Sequence, residues 1–301
     1  MKPHHLKIET EPQNSFEVRH DVLPYFNDVW HCHPQLELHY VIKGEGVRLV
    51  GDRLNNFSAG DVVLIGENTP HCWRCNPEYF EASSGLTVEV ITIRFLPDCF
   101  GHELLAMPEA HLLPKLFESA KAGLFINGNT RQRVAHMMRN LVSAGGIDRL
   151  IMMITLLKEL SETAEFKKLT FTRNHFYVPK EMDAHRINSI CNYTLNNFKR
   201  EISLDEIAGI GNLSTTSFCR YFKLMTNQRY VDFLTQVRIS YACRLLIDNK
   251  LSAAVICSEA GFYNLSNFYR HFKKHTGMTP HLYKNTFTQR RPASRHAIRS
   301  L

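Results

Sequence analysis

An internal repeat of fifty residues constrains the last third of this 301-residue chain more than any other feature. The segment "SFCRYFKLMTN" at 217–227 returns as "NFYRHFKKHTG" at 267–277. A repeat of this length indicates one supersecondary unit that is present twice. Five residues recur at the same spacing: Phe218, Arg220, Phe222, Lys223 and Thr226 in the first copy, and Phe268, Arg270, Phe272, Lys273 and Thr276 in the second.

Each copy is predicted to contain two helices joined by a tight turn. In the first copy Ser203 and Glu206 form the capping-box pattern that starts a short helix. Ser214 is an N-cap candidate for the helix that follows, and Asn264 holds the same position in the second copy. A helix, a turn and a helix, twice over, predict two helix-turn-helix motifs.

The second helix of each motif is predicted to have an apolar and a polar face. At 100° per residue Phe218 and Phe222 lie on one face, and Phe268 and Phe272 do the same in the copy. Arginine on the polar face can bridge a guanine, asparagine can read adenine and lysine can contact phosphate. One such helix would favour a solvated surface, but two in register favour DNA reading.

Residues 229–246 connect the two motifs without a glycine or proline. As a helix these eighteen residues span roughly 27 Å. That length is close to the roughly 34 Å between successive major-groove faces on one side of B-DNA. One chain could therefore set two recognition helices into adjacent grooves. The helix is expected to pack through a stripe of five residues: Val231, Leu234, Arg238, Tyr241 and Leu245.

The positive charge of the chain is concentrated at its C-terminal end. Residues 1–180 carry 19 Lys+Arg against 21 Asp+Glu, a net of −2, and residues 181–301 carry 17 against 8, a net of +9. The two sums give the overall +7. A basic module is typical of nucleic-acid binding, although a solvated basic surface without a partner has the same composition.

Residues from about 16 to 97 are predicted to form strands. Short alternating runs such as "LELHYVI" and "VEVITIRF" are separated by turn signals, among them "KGEG" at 43–46. Strands at this spacing indicate a small antiparallel barrel or sandwich. The N-terminus lacks an apolar signal core, and "LIMMITLL" at 150–157 is too short to span a bilayer, so a cytoplasmic protein without membrane contact is expected.

Helical spacing replaces the strands in the segments 112–124, 131–144 and 147–163. The third segment carries an apolar stripe that either packs on its own domain or pairs with a second chain. We favour a homodimer, because the preceding helix supplies a further apolar face. The residues of the stripe are Leu150, Ile154, Leu157 and Leu160 or Ser161, and those of the second face are Val134, Met137, Met138 and Leu141.

The segment "AGFYNLSNFYRHFKKHTGMTPHLYK" at 260–284 resembles the signature of the AraC/XylS family of bacterial transcription regulators. The resemblance covers roughly residues 183–285. Cys257, Lys284 and Asn227 depart from the family pattern, which has Ala, Arg and Gly there. The matching residues are Gly261, Phe262, Phe268, Arg270, Phe272, Lys273, Gly277, Thr279, Pro280 and Tyr283.

The resemblance implies an α+β multidomain fold. An N-terminal cupin-like β-barrel (jelly roll) with following helices would precede an all-α domain that holds both motifs. The implied boundaries are 1–98 for the effector-binding barrel, 99–165 for a helical, dimerising segment, 166–182 for a linker, 183–285 for the DNA-binding domain and 286–301 for a basic, disordered tail.

The same resemblance implies the residues that contact DNA. We expect Arg220, Asn267 and Arg270 to discriminate bases, because Cys219 and Leu265 offer only apolar contacts. The base-reading positions are Thr216, Cys219, Arg220, Leu265, Ser266, Asn267 and Arg270, and the backbone-contacting positions are Ser203, Thr215, Lys223, Lys273 and Lys274.

A cluster of potential ligands occupies "WHCHPQLELHY" at 30–40. His31, His33, Glu37 and Gly44 have the spacing of the first cupin motif, and His71 follows Gly60 as in the second. Three imidazoles and a carboxylate suit Zn, Fe, Mn or Ni. Three interpretations stay open: an effector pocket without metal, a pocket that holds a divalent metal, or satisfied core residues. The effector-pocket residues are His31, His33, Glu37, His39 and His71, and all of these except His39 are the candidate metal ligands.

The predicted function is a sequence-specific DNA-binding transcription regulator, an activator by the usual mode of the family. It would respond to a small molecule, such as a sugar or sugar derivative, and has no predicted catalytic residues. The implied partners are double-stranded DNA, the effector, RNA polymerase and a second copy of the chain. The alternative is a metal-dependent cupin enzyme, a dioxygenase or isomerase, fused to a DNA-binding module.

Overall fold

We describe the fold from a computed structural model, which covers residues 15–26, 29–170 and 181–288. Two compact units are present, one made of residues up to 188 with 220–228, the other of 189–219 with the residues from 229 onward. Residues 171–180 of the predicted linker and 289–301 of the predicted tail lie outside the described residues. The domain boundaries stay predictions. No helix in the described ranges is both long and apolar enough to cross a membrane.

The first unit is built on two antiparallel sheets. A six-stranded sheet has the order β1-β7-β2-β5-β8-β9, and a three-stranded sheet has the order β4-β3-β6. The strands predicted between 16 and 97 are therefore confirmed. The strands are β1 (Phe16–Leu23), β2 (Leu36–Lys43), β3 (Gly46–Val50), β4 (Arg53–Phe57), β5 (Val62–Ile65), β6 (His71–Cys75), β7 (Val88–Phe95), β8 (Leu124–Ile126) and β9 (Phe166–Lys168).

Both faces of the six-stranded sheet are buried, which positions the polar residues of β2. Leu36, Leu38 and Tyr40 belong to a core shared with helices, whereas Val41 belongs to a core shared with the three-stranded sheet. Because side chains alternate along a strand, Glu37 and His39 lie on the same side as Val41. The polar residues of β2 therefore point between the two sheets.

Four helices accompany the sheets, and α2 to α4 cover the outer face of the larger one. They are α1 (His102–Ala106), α2 (Leu113–Ala120), α3 (Gly128–Ser143) and α4 (Gly146–Glu162). The three predicted helical segments are confirmed as α2, α3 and α4. Two short 3₁₀ turns, Pro77–Phe80 and Pro108–Ala110, complete this part of the chain.

The stripe predicted for a dimer is mostly inside the first unit. Leu157 and Leu160 of α4 are buried against Val134 and Met138 of α3 and the larger sheet. Assigning this stripe to a second chain was therefore wrong, because the two helices pair with each other and with the sheet. Among the apolar residues of the predicted stripe and of the second apolar face, Ile154 alone remains well exposed, at 41%.

The C-terminal part of the chain is helical. Its elements are α5 (Glu181–Asn197), α6 (Leu204–Ile210), α7 (Thr215–Thr226), α8 (Tyr230–Asp248), α9 (Ala253–Glu259), α10 (Leu265–Thr276) and α11 (Pro280–Thr288). The helix predicted over 229–246 is α8, but its buried side is wider than the predicted stripe. Val231 is 56% exposed, whereas Phe233, Val237 and Ile239 are buried. The stripe was wrong at Val231, which lies outside the buried side, and too narrow elsewhere, because α8 packs against several helices rather than one.

Candidate functional site

Five polar residues of the first unit lie near one another between the sheets. Glu37 and His39 belong to β2, His71 opens β6, and His31 and His33 precede β2. Backbone hydrogen bonds of 3.1 and 2.8 Å between His31 and His71 join the two segments. Except for half-buried His31, all are buried. Buried groups of these types need either protein partners or a ligand.

Three of these residues, His31, His33 and His71, form what we call the histidine cluster. The Nδ1 atom of each ring is hydrogen-bonded to a backbone carbonyl oxygen. Because a carbonyl oxygen only accepts, Nδ1 carries the proton, and a neutral ring keeps its lone pair on Nε2. The Nδ1–oxygen distances are 2.8 Å from His31 to Val29, 3.1 Å from His33 to Gln35 and 2.7 Å from His71 to Thr69.

The remaining ring nitrogens of the histidine cluster converge. One ligand nitrogen from each ring lies within 4.8 Å of the others. Nε2 of His33 and of His71 has no hydrogen-bond partner. Burial lowers the pKa of His31 and lowers that of His71 further, so both rings are mainly neutral at pH 7. Three imidazoles whose remaining ring nitrogens converge form a donor set that fits a divalent metal.

Glu37 lies beside the histidine cluster and is ionised. Its Oε2 atom is 3.4 Å from Nε2 of His33, and its Oε1 atom is 3.8 Å from Nε2 of His71. Burial alone would raise the pKa of this carboxyl. The contacts with His33 and His39 and the charge of Arg94 outweigh burial and hold the pKa well below its usual value. A carboxylate therefore adds negative charge next to the converging lone pairs.

Arg94 is the residue of this site that sequence reasoning missed. Its Nε atom donates to Oε2 of Glu37 at 2.6 Å, and its NH1 atom donates to Glu17 at 3.2 Å. The guanidinium therefore fixes one oxygen of Glu37 and leaves Oε1 on the side of His71. The available signal was an arginine in the alternating strand "VEVITIRF", two residues after inward-facing Thr92.

His39 lies outside the histidine cluster and contacts other groups. Its ring stacks on Trp73 at 4.5 Å between centroids, and its Nδ1 atom is 3.3 Å from the hydroxyl of Thr92. Nε2 of His39 has no hydrogen-bond partner, and neither has the indole N–H of Trp73 or Trp30. The interior of the first unit thus holds buried polar atoms beyond the three converging nitrogens.

The second candidate site consists of the two predicted helix-turn-helix motifs, α6 with α7 and α9 with α10. The predicted caps form: Ser203 accepts from the backbone N–H of Glu206 at 3.1 Å, and Asn264 accepts from that of Asn267 at 3.0 Å. The Glu206 carboxylate reaches back to the backbone of Ser203, as the capping box predicts, and also accepts from Arg200 and Tyr193. The second motif has an N-cap that the sequence did not single out, Ser252.

The second helix of each motif has the predicted apolar back. Phe218 and Phe222 of α7 are fully buried, and so are Phe268 and Phe272 of α10. The seven base-reading candidates all lie on exposed positions of the same two helices. Those residues are Thr216, Cys219, Arg220, Leu265, Ser266, Asn267 and Arg270.

The backbone-contacting candidates differ in what their side chains already do. Lys223, Lys273 and Lys274 are exposed on the second helices. Exposed Ser203 caps α6, whereas half-buried Thr215 donates its hydroxyl proton to Asp205. The three lysines are therefore the members of this set whose cationic groups face solvent.

Comparison with known proteins identifies both parts of the chain. Residues 207–286 match a helix-turn-helix domain family, and residues 21–79 match a cupin domain family. The chain carries a cupin domain followed by an AraC-type helix-turn-helix domain. The AraC/XylS resemblance and the predicted fold class are confirmed, and the chain is a DNA-binding transcription regulator with a cupin-like domain.

Relatives of this chain are named as transcription regulators. It is 25% identical over 262 residues, 84% of this chain and 85% of the relative, to the uncharacterized HTH-type transcriptional regulator YdeC of Bacillus subtilis (strain 168). It is 22% identical over 279 residues, 89% and 87% of the two chains, to the melibiose operon regulatory protein of Escherichia coli (strain K12). The crystal structure of the DNA-binding domain of AdpA with a target DNA covers 35% of this chain and 95% of its own, at 23% identity and a TM-score of 0.33.

Proposed function

We propose that this DNA-binding regulator responds to a small molecule that binds between the two sheets of its cupin domain. The observation that carries the proposal is the set of buried polar atoms without a hydrogen-bond partner, which includes Nε2 of His33, His39 and His71. Unpaired buried groups of this kind cost free energy unless a ligand or ion satisfies them.

A divalent metal held by the histidine cluster is part of the proposed pocket. The protonated Nδ1 atoms direct three lone pairs to one place, and Glu37 supplies the negative charge that a divalent ion needs. When bound, such an ion supplies a Lewis-acidic position for the oxygen atoms of an effector. His39 and the two indole N–H groups offer further polar contacts to the same molecule.

The proposed class of effector is a sugar or sugar derivative. Two relatives support this class by name, the melibiose operon regulatory protein of Escherichia coli and the Msm operon regulatory protein of Streptococcus mutans. The hydroxyl groups of a sugar match a site that offers both hydrogen-bond donors and acceptors.

On the DNA side we propose that Arg220, Asn267 and Arg270 discriminate bases and that Lys223, Lys273 and Lys274 contact phosphates. Their exposure on the two second helices supports this division. The regulator would act as a cytoplasmic homodimer that activates transcription through RNA polymerase. The surface assigned to the dimer is the exposed side of α4, formed by Ile147, Ile151 and Ile154.

A metal-dependent cupin enzyme is the second candidate function, and the histidine cluster with Glu37 is the observation that favours it. A catalytic metal site keeps a position open for water or substrate. A metal held by only the three histidine nitrogens would have such an open position here. We propose binding without turnover, because the relatives are regulators.

Metal analysis followed by ligand titration tests the proposal. Wild type should purify with about one divalent ion per chain, and His33→Ala and His71→Ala should lose it. The matched control is His136→Ala, since His136 is exposed on α3 and lies outside the histidine cluster. With metal bound, a panel of sugars should contain a compound that raises the melting temperature and changes DNA affinity.

Two results would argue against this function. Wild type that retains no metal and shows no melting-temperature shift with any sugar would contradict an effector pocket. A compound that is consumed by the metal-loaded protein, with turnover lost in His71→Ala and kept in His136→Ala, would instead establish the enzyme.

A further inference from the structure

The carboxyl end of α5 contacts both helix-turn-helix motifs. The chain leaves α5 at Asn197, and the backbone carbonyls that follow it face Arg238 of α8. Nε of Arg238 donates to the carbonyl oxygen of Phe198 at 2.9 Å, and NH2 donates to that of Arg200 at 2.9 Å. The planar guanidinium thereby bridges two carbonyls at the negative end of the helix dipole.

The turn of the second motif lies against the same carbonyls. Gly261, between α9 and α10, has φ +78°. A Cβ atom there would lie 2.5 Å from the carbonyl oxygen of Phe198, 2.9 Å from that of Lys199 and 3.0 Å from Nε of Arg238. Only glycine permits this approach, so the turn and the end of α5 are held in direct contact.

Aromatic and charged side chains extend the contact along α8. The Phe198 ring meets Tyr241 edge-on at 5.1 Å between centroids. Nζ of Lys199 lies 4.7 Å from the centre of the Tyr241 ring and 3.8 Å from the carboxylate of Glu259 in α9. Phe198 and Lys199, which follow α5, therefore contact the connecting helix α8, and Lys199 also contacts α9 of the second motif.

The same end of α5 also holds the first motif. NH2 of Arg200 donates to Glu206 of α6 at 2.5 Å and to the hydroxyl of Tyr193 at 2.8 Å, and that hydroxyl donates to Glu206. Hydrogen bonds from Arg200 and then Tyr193 lower the pKa of Glu206 to about 2, so the carboxylate is ionised at neutral pH. Further along, the hydroxyls of Thr194 and Tyr230 lie 3.0 Å apart and link α5 to the start of α8.

We propose that residues 198–200, Arg238 and Gly261 form a joint that sets the separation of the two DNA-reading helices. Arg238 acts there as a positioning residue and determines which spacing of half-sites the chain accepts. Arg238 is half-buried and donates from Nε and NH2 to backbone carbonyls, so we assign it a role within the protein rather than on the DNA. The inference rests on the assignment of α7 and α10 as the reading helices.

Half-site spacing is a sensitive readout of this geometry. One inserted base pair moves a half-site by about 3.4 Å and by about a tenth of a helical turn. A loss of folded protein would lower affinity for every DNA probe by the same factor. A change in the joint would instead alter the ratio of affinities between probes of different spacing.

The experiment uses the full chain and a duplex that wild type selects from a random DNA pool. Affinities are measured for that duplex, for versions with one base pair added or removed between the half-sites, and for each half-site alone. Arg238→Met removes the bridge, and Gly261→Ala pushes the end of α5 away. The matched control is Gly277→Ala, because Gly277 has φ +75° but no atom within 4 Å of an added Cβ.

Wild type and Gly277→Ala should lose about tenfold or more in affinity when one base pair is inserted. Arg238→Met and Gly261→Ala should bind half-sites as wild type does but lose this discrimination, to about threefold or less. If Arg238→Met does not fold, Arg238→Lys serves instead, since lysine keeps the charge and lacks the planar fork.

Two outcomes overturn the joint. One is an unchanged spacing preference in both variants, and the other is an equal loss on half-sites and on all spacings. Wild type that selects no sequence at all would contradict the reading helices themselves, which is a failure separate from that of the joint.

Discussion

Asn267 and Arg270 lie one turn apart on α10 and are hydrogen-bonded, with NH2 of Arg270 2.7 Å from Oδ1 of Asn267. The bond orients the amide of Asn267 and the guanidinium together, so each side chain sets the direction of the other. Residues in direct contact do not contribute independently to binding.

We therefore expect Asn267→Ala and Arg270→Ala to be coupled in DNA binding. Each change should cost about 1–3 kcal/mol on the selected duplex, and Arg270→Ala should relax specificity at one base position. The double variant should lose less than the sum of the two, which a double-mutant cycle of dissociation constants measures.

A pair on the other motif serves as the control for this cycle. Asn267→Ala and Arg220→Ala act on different helices, and their effects should add within about 0.5 kcal/mol. Equal losses for Arg270→Ala on every DNA sequence would mean that Arg270 contacts only phosphate.

The histidines and Glu37 of the cupin domain could be predicted from the sequence, but Arg94, the partner of Glu37, could not. The spacing of His31, His33 and Glu37 is local in the sequence. Arg94 lies directly opposite Glu37 in the β2–β7 register and opposite Glu17 in the β1–β7 register. Registers between distant strands are set by the folded sheet, so the alternation of β7 alone did not identify this contact.

The exposed side of helix α4 carries large apolar side chains. Ile147 and Ile151 are 67% and 56% exposed, although both belong to an otherwise well-packed helix. Large apolar side chains grouped on one helix face are typical of an interface. Further along that helix Lys158 pairs with Glu162.

Ile151→Lys is expected to convert a dimer into a monomer in sedimentation velocity, because a lysine at the centre of the face would bring two ammonium groups together. The melting temperature of the monomeric unit should hardly change, since Ile151 is exposed. Met107→Lys is the control, as Met107 is 49% exposed and lies outside α4. A wild-type chain that sediments as a monomer at all concentrations would refute the dimer.

Elements were predictable where their sequence is long enough to show a period. The helices α3 and α4 follow from their apolar spacing, whereas β8 and β9 have three residues each and show none. These two strands form because β8 pairs with β5 and β9 pairs with β8. Residues 166–168, expected in the linker, are therefore part of the larger sheet.

At the scale of the whole molecule, the N-terminal and C-terminal parts of the chain differ in net charge. With a net of −2 over residues 1–180 and of +9 over residues 181–301, we expect DNA affinity to depend on the C-terminal part. Neutralised phosphates release condensed counterions, which makes such affinity strongly dependent on salt.

The full chain should accordingly lose affinity for its selected duplex on a straight line of log K against log salt. Lys273→Ala should reduce the slope by about 1 and weaken binding on all sequences alike. Lys158→Ala, on α4 of the first unit, should leave the slope unchanged. An affinity that ignores salt would contradict the counterion mechanism.

Strand β2 carries a consequence for how the cupin domain can report on its contents. Glu37 and His39 face the polar interior, while Leu38 and Tyr40 between and after them rest on the helices. Arg139 of α3 also donates to the hydroxyl of Tyr40 at 2.7 Å. Only the backbone of β2 separates the histidines from the layer formed by α3 and α4, so we expect a displacement of β2 by a bound ligand to move Tyr40 and its contact with Arg139 as well.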